Sequence, residues 1–133
     1  MNNIPKIYTD GSCLNNPGGA SGWCFYLIEE NKHWIVSGGE ASSTNNRMEL
    51  LAIIESLDFA QGDEYEIYTD SKLSLKCAKS EWKRKSNLDL WCIFDKVSKG
   101  KKIHWFWVKS HSNDKFNEIV DQIARNEAKL QKK

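Results

Sequence analysis

The tetrapeptide Ile7-Tyr8-Thr9-Asp10 recurs letter for letter as Ile67-Tyr68-Thr69-Asp70. Each copy reads as a strand closing on an aspartate, with Tyr and Asp in the same phase of the pleat. Strands lying side by side and parallel would bring the two carboxylates within about 5 Å, one strand spacing. Anions that close repel strongly unless a cation or a shared proton joins them. Two more acids can complete the group. Glu49 falls in the first turn of an apolar-periodic segment, at the border of its apolar face, and Asp121 lies in line with Asn117 and Ala124 beside the stripe of the last segment. Carboxylates clustered without Cys or His favour hard, oxygen-seeking cations, Mg²⁺ or Mn²⁺, and that chemistry points to phosphoryl transfer. Each acid also has a plainer reading. Asp70 before Ser71 could cap a helix, Glu49 alone would be a helix-dipole partner, and Asp121 alone a solvated charge. The repeated strand ending is what sets a shared site against those readings.

The elements that must carry these acids follow from periodicity. Strands are expected at Lys6–Asp10, Trp23–Glu29 and Trp34–Gly38, joined by the turn Asn15-Asn16-Pro17-Gly18-Gly19 and by Glu30-Asn31-Lys32, an antiparallel meander. A helix follows, with Thr44, Asn45 and Asn46 as N-cap candidates, Leu50, Ile53, Ile54 and Leu57 at helical spacing, and a stop at Gln61-Gly62. Tyr65–Thr69 returns to strand, Ser71–Ala78 is a short helix, and Lys79–Asn87 is basic and irregular. Leu88–Ser98 is helical, Ile103–Val108 extended, and Phe116, Ile119, Val120, Ile123 and Ala124 form the stripe of a last helix. The order βββαβααβα fits a mixed sheet covered by helices, with the acids at the carboxyl ends of its central strands.

Composition narrows the classes. Among 133 residues, 19 Lys and Arg against 18 Asp and Glu leave a net charge of +1, which excludes nucleic-acid binding by bulk charge alone. The longest apolar runs, Trp23–Ile28 and Trp105–Val108, are too short to cross a bilayer, and the first residues lack the apolar region of a signal peptide. A single soluble domain over residues 1–133, located in the cytoplasm, is expected. Cys13, Cys24, Cys77 and Cys92 show no zinc spacing and are expected as buried or half-buried free thiols. No G-x-G-x-x-G follows a strand, which argues against a dinucleotide-binding enzyme.

Several blocks together resemble the type 1 ribonuclease H family: Thr9-Asp10-Gly11-Ser12-Cys13 with Asn16-Pro17-Gly18, Thr44-Asn45-Asn46-Arg47-Met48-Glu49-Leu50, Thr69-Asp70-Ser71, Asn87-Leu88-Asp89-Leu90-Trp91, Trp107-Val108-Lys109, and His111 with Asn117-Glu118-x-x-Asp121. The resemblance spans the chain in order. It implies an α/β fold of the ribonuclease H type, a five-stranded mixed sheet of three antiparallel and then parallel strands flanked by helices. It implies hydrolysis of the RNA strand of RNA–DNA hybrids, leaving 3′-hydroxyl and 5′-phosphate ends, with two Mg²⁺ ions (Mn²⁺ substituting) on Asp10, Glu49, Asp70 and Asp121. His111 matches the family's mobile histidine, which assists water activation or product departure. Asn16, Asn45 and Asn46 match minor-groove contacts, Thr44 and Asn87 a phosphate pocket on the DNA strand, and Trp82 an aromatic of the DNA channel. As a loop residue Trp82 could equally anchor the core.

The departures are informative too. Ser112-Asn113 follows His111 where a small residue and glycine are usual, Lys72 replaces a Gln that reads the substrate, and Ser42 replaces an Arg of the phosphate pocket. The family's long basic handle is missing. Lys79, Lys83, Arg84 and Lys85 around Trp82 are what remains, as in handle-less members including the retroviral domains. A non-catalytic hybrid- or RNA-binding module on the same fold is one alternative, though clustered acids would not help a binder of phosphates. Another is a mobile-element or phage-type domain working beside a reverse transcriptase or other partner. A monomer is expected, with a possible protein partner adding hybrid affinity.

Overall fold

A computed structural model describes residues 4–109 and 114–132. Its elements are β1 (Lys6–Cys13), β2 (Ser21–Glu29), β3 (Lys32–Glu40), α1 (Asn45–Phe59), β4 (Glu64–Thr69), α2 (Lys72–Ala78), α3 (Leu88–Ser98), β5 (Lys102–Trp107) and α4 (Lys115–Leu130). The five strands form one sheet in the order β3-β2-β1-β4-β5. β1, β2 and β3 are antiparallel, β4 runs parallel to β1, and β5 parallel to β4. This is the expected fold class.

The repeated tetrapeptide is a register device. Ile7 pairs with Ile67, Tyr8 with Tyr68 and Thr9 with Thr69, so the parallel ladder delivers Asp10 and Asp70 side by side at its end. Alternation then sorts the layers. Ile7 and Ile67 join Phe25, Leu50, Ile53, Leu57 and Trp91 in a core beneath α1 and α3. Tyr8, Cys24 and Tyr26 pack on the other face with Val120 and Ala124 of α4. Fully burying each large apolar side chain contributes about 1.5–3 kcal/mol. The sheet edge under the acids is therefore fixed from both sides.

Boundaries differ from the sequence reading where pairing outlasts local propensity. β1 continues past Asp10 to Cys13 because it keeps its ladder with β2, Gly11 opposite Trp23 and Cys13 opposite Ser21. β3 likewise runs to Glu40, carrying Gly38 and Gly39 opposite Trp23 and Gly22. α1 stops at Phe59, with Ala60 N–H donating to Ser56, before Gln61-Gly62 is reached. All four cysteines are free, but Cys92 is exposed rather than buried, because α3 turns Leu90, Trp91 and Phe94 inward. Among the described residues no helix is long and apolar enough to cross a membrane.

Two glycines let the helices approach closely enough to deliver their acids. A Cβ on Gly11 would meet the backbone of Met48 and Glu49, and would lie 2.7 Å from Met48 Cβ. A Cβ on Gly22 would lie 2.6 Å from the Ala128 nitrogen, inside the backbone of α4. Neither neighbour is a flexible side-chain tip that could swing away. Gly22→Ala is therefore expected to lower unfolding free energy by about 1–3 kcal/mol, the usual range for overpacking. Chemical denaturation checks this, and a wild-type midpoint would show that α4 does not sit on the sheet at Gly22.

Candidate metal centre and nucleic-acid face

Three elements bring the first three acids together. Asp10 stands on β1, Asp70 just past the end of β4, and Glu49 on α1. Oxygen atoms of Asp10, Glu49 and Asp70 all lie within 4.8 Å of one another. Asp10 is 2% exposed and Glu49 8%. Asp70 is not a helix cap: Ser71 caps α2, its hydroxyl accepting from Ser74 N–H at 3.1 Å. Nor is Glu49 a first-turn dipole partner, since it is the fifth residue of α1 and points into the sheet edge. Asp121 stands outside the 4.8 Å group and pairs with Arg125 of the next helical turn at 3.1 Å. Its carboxyl nonetheless acts on Asp10, adding to the upward push on the Asp10 carboxyl.

The electrostatics of this arrangement are unfavourable without a cation. Burial pushes the Asp10 carboxyl up to about 8; the adjacent Glu49 carboxyl opposes this, and the Asp70 and Asp121 carboxyls add to it. Glu49 is driven well above the ordinary carboxylate range, first by burial and then by Asp10 and Asp70, with the Gly11 N–H opposing. Asp10 Oδ1 accepts from Gly11 N–H at 2.9 Å. Asp10 Oδ2 and Glu49 Oε2 are buried and find no donor among the described residues. Two ionised, donorless oxygens in one place need either a shared proton or a cation. All-oxygen donors of this kind fit a hard divalent ion.

The polar residues flanking the acids form a connected surface. Thr44 caps α1, its Oγ1 accepting from Arg47 N–H at 3.1 Å. The exposed Asn16 side chain accepts from Asn45 N–H at 3.0 Å, and Gly18 N–H donates to Ser43 O at 2.7 Å, so the turn before β2 is sewn to the start of α1. The Asn16–Pro17 peptide is cis. Arg47 spans from α1 to α3, gripping both oxygens of Asp89 at 3.0 and 2.6 Å and donating to Asn87 Oδ1 at 3.3 Å. Asp89 is held down at about 2 by that hydrogen bond. A small cavity beside this clamp is lined by Asn46, Asn87, Lys83 and Lys85. Lys72 opens α2, next to Asp70, with its Nζ 5.6 Å from the centre of the Trp107 ring. The Trp107 indole N–H in turn donates to Asp70 O at 3.3 Å.

The basic loop divides into two kinds of residue. Trp82 is 46% exposed, so it is not a core anchor. Arg84 is structural: it donates to both oxygens of Asp95 at 2.9 Å and to Cys77 O at 3.2 Å, and lies 4.2 Å over the Trp91 ring. Lys79 pairs with Glu81 at 3.1 Å. Lys83 and Lys85 enter no ion pair among the described residues. His111 lies outside the described residues; the helix α4 is capped by Asp114, whose Oδ1 accepts from Phe116 and Asn117 N–H at 3.0 Å. Sequence reading did not anticipate the Arg47–Asp89 and Arg84–Asp95 pairs, because no local pattern links partners 42 and 11 positions apart.

Comparison with known proteins agrees with this geometry. Residues 2–129 match the family model for RNase H. The ribonuclease HI of Campylobacter jejuni is 45% identical over 132 residues, covering 92% of this chain and 90% of that protein. A ribonuclease H of Neorickettsia sennetsu is 41% identical over 138 residues, covering 92% and 91%. In fold, the chain superposes on the N-terminal RNase H domain of a Mycobacterium tuberculosis protein with a TM-score of 0.86 at 22% identity, covering 96% of this chain and 95% of that one. RNase H1 of Halobacterium salinarum gives 0.77 at 24% identity, covering 96% and 99%. The chain belongs to the ribonuclease H family.

The raised carboxyls fix how the metal-free protein responds to pH. A group whose pKa is higher folded than unfolded stabilises the fold fully below its unfolded value and loses that contribution as pH rises through its folded value. Asp10 spans from the ordinary 3.8 to about 8. In EDTA, the melting temperature is expected to fall as pH rises from about 4 to about 8, and Asp10→Asn is expected to flatten the fall. A melting temperature that rises steadily over that window would contradict the arrangement of the acids.

Proposed function

We infer that this ribonuclease H cleaves the RNA strand of RNA–DNA hybrids with two divalent cations held by Asp10, Glu49, Asp70 and Asp121, leaving 3′-hydroxyl and 5′-phosphate ends. The observation that carries the reading is the convergence of Asp10, Glu49 and Asp70 within 4.8 Å, two of them with buried, donorless oxygens, in a chain of this family. Mg²⁺ is the favoured ion and Mn²⁺ a substitute, because an all-carboxylate set selects hard cations. When bound, such a pair generates a water nucleophile at neutral pH and stabilises the departing oxygen.

The chain's own groups have separate tasks in this reading. Asp10, grouped with Glu49 and Asp70, would help to hold both ions. His111 moves protons at the water or the departing strand, which its titration range suits. Asn16, Asn45 and Asn46 face the minor groove, where the 2′-hydroxyl distinguishes RNA from DNA. Thr44 and Asn87 take a phosphate of the DNA strand, while Trp82 and Lys72 flank the duplex. The enzyme acts as one domain over residues 1–133, a monomer in the cytoplasm, where its free thiols stay reduced. Hybrid affinity that the missing handle does not supply would come from the Lys79–Lys85 loop or from a protein partner.

Labelled RNA–DNA hybrid, RNA duplex and DNA duplex, each with Mg²⁺, Mn²⁺ or EDTA, test this directly. RNA is expected to be cut only in the hybrid and only with metal. Activity in EDTA, or equal cutting of the RNA duplex, would overturn it. Asp70→Asn is expected to abolish cleavage while leaving the metal-free fold as stable as wild type or more so. Retention of more than about a tenth of the rate, roughly 1.4 kcal/mol of barrier, would remove Asp70 from the site.

The basic loop yields a graded expectation. Replacing Lys83 and Lys85 together by Ala should raise KM much more than it lowers kcat, with the melting temperature kept, because these side chains would hold substrate rather than transition state. Arg84→Ala should instead lower the melting temperature, since it leaves Asp95 and the Trp91 ring without their partner. Steady-state kinetics and thermal melts on both variants separate the two roles.

A further inference from the structure

Asn87 occupies the N-cap position of α3, where an Asn side chain ordinarily accepts from the first-turn N–H groups. Here it makes no such bond. Its backbone is left-handed, φ 54° and ψ 37°, and its Oδ1 instead accepts from Arg47 Nη1 at 3.3 Å. Arg47 is itself immobilised by the two-pronged contact with Asp89. An amide has one acceptor end and one donor end, so fixing the oxygen fixes the direction of the NH₂ group. That NH₂ group belongs to a residue lining the same small cavity as Lys83 and Lys85, whose ammonium groups can only donate. The Asn16 amide is locked the same way, its oxygen taken by Asn45 N–H.

We propose that Arg47 is a positioning residue that holds the Asn87 amide with its oxygen inward and its NH₂ toward the nucleic-acid phosphate. The proposal rests on the reading of Asn87 as a phosphate contact and adds what orients it. A freely turning amide would present its oxygen to a phosphate half the time, a repulsive contact. Arg47 removes that orientation, and in doing so makes Asn87 a pure donor. A lysine at position 47 cannot do this. It would keep the charge and one contact, but a point ammonium does not grip Asp89 with two prongs and reach Asn87 as well.

The test is a double-mutant cycle on KM for hybrid cleavage at fixed salt, using wild type, Arg47→Lys, Asn87→Ala and the double variant. Arg47→Lys conserves charge, so long-range attraction to phosphate is unchanged. KM is expected to rise roughly fivefold in each single variant, the size of one ordinary hydrogen bond, with kcat within about twofold. In the double variant Arg47→Lys is expected to add nothing, because the group it orients is gone. Multiplying effects, about 25-fold in the double variant, would show that Arg47 acts independently of Asn87 and overturn the proposal. A melting temperature within a few degrees of wild type accompanies the expected result. Loss of kcat in Arg47→Lys with KM unchanged would overturn it as well. Absence of hybrid cleavage by wild-type enzyme would count against the functional reading instead.

Discussion

The repulsion between carboxylates at the end of the β1–β4 ladder is the constraint around which this protein is arranged. Nothing in the local chemistry favours placing Asp10 and Glu49 where water cannot reach them and Asp70 within 4.8 Å of both. Burial first, and then the neighbouring carboxyls, drive both buried acids to hold on to a proton that free carboxylates lose near pH 4. The fold tolerates this because the strands behind the acids are packed on both faces. The parallel register pins two of them, and the bare backbones of Gly11 and Gly22 let α1 and α4 press onto the sheet from opposite faces. The energy for holding the acids comes from the two apolar layers, not from the site.

The same bracing extends outward along the candidate nucleic-acid face. The Asn16 turn is sewn to the cap of α1, and Arg47 ties α1 to the start of α3. Groups assigned to the two strands of a hybrid therefore hang on the helix that carries Glu49. A substrate gripped through Asn16, Thr44 and Asn87 would be positioned relative to the acids by a single element. Net charge is only +1, and Arg84 and Lys79 of the basic loop are engaged by Asp95 and Glu81, which leaves Lys83 and Lys85 as that loop's cations without an ion pair among the described residues. In the proposed function, placed donors rather than bulk charge would set the contacts to a hybrid.

Much of this was legible in the sequence. The repeated Ile-Tyr-Thr-Asp encoded both the parallel pairing and the meeting of two acids, and the start of α1 was marked by three cap candidates, of which Thr44 is the cap. Helical spacing put Asn117 and Ala124 on the buried side of α4 and hence Asp121 at its flank. What escaped was long-range. The extension of β1 and β3 depends on a partner strand, not on the residues themselves. The exposure of Cys92 depends on which way α3 turns Leu90 and Phe94. Arg84 looked like a loop cation and proved to be a tertiary strut, because its partners Asp95 and Trp91 lie on a helix whose placement periodicity alone does not reveal.

The claim that the buried acids keep a proton until a cation takes its place has a direct measure, the number of protons released when Mg²⁺ binds. Calorimetric titration of the metal-free enzyme at pH 7 in buffers of different ionisation enthalpy gives that number. At least one proton per protein is expected to be released at pH 7, with the number falling as pH rises, since metal ligands must be deprotonated to bind. Mg²⁺ binding at pH 7 with no proton release would mean that Asp10 and Glu49 are already fully ionised, and the account of the site would be wrong.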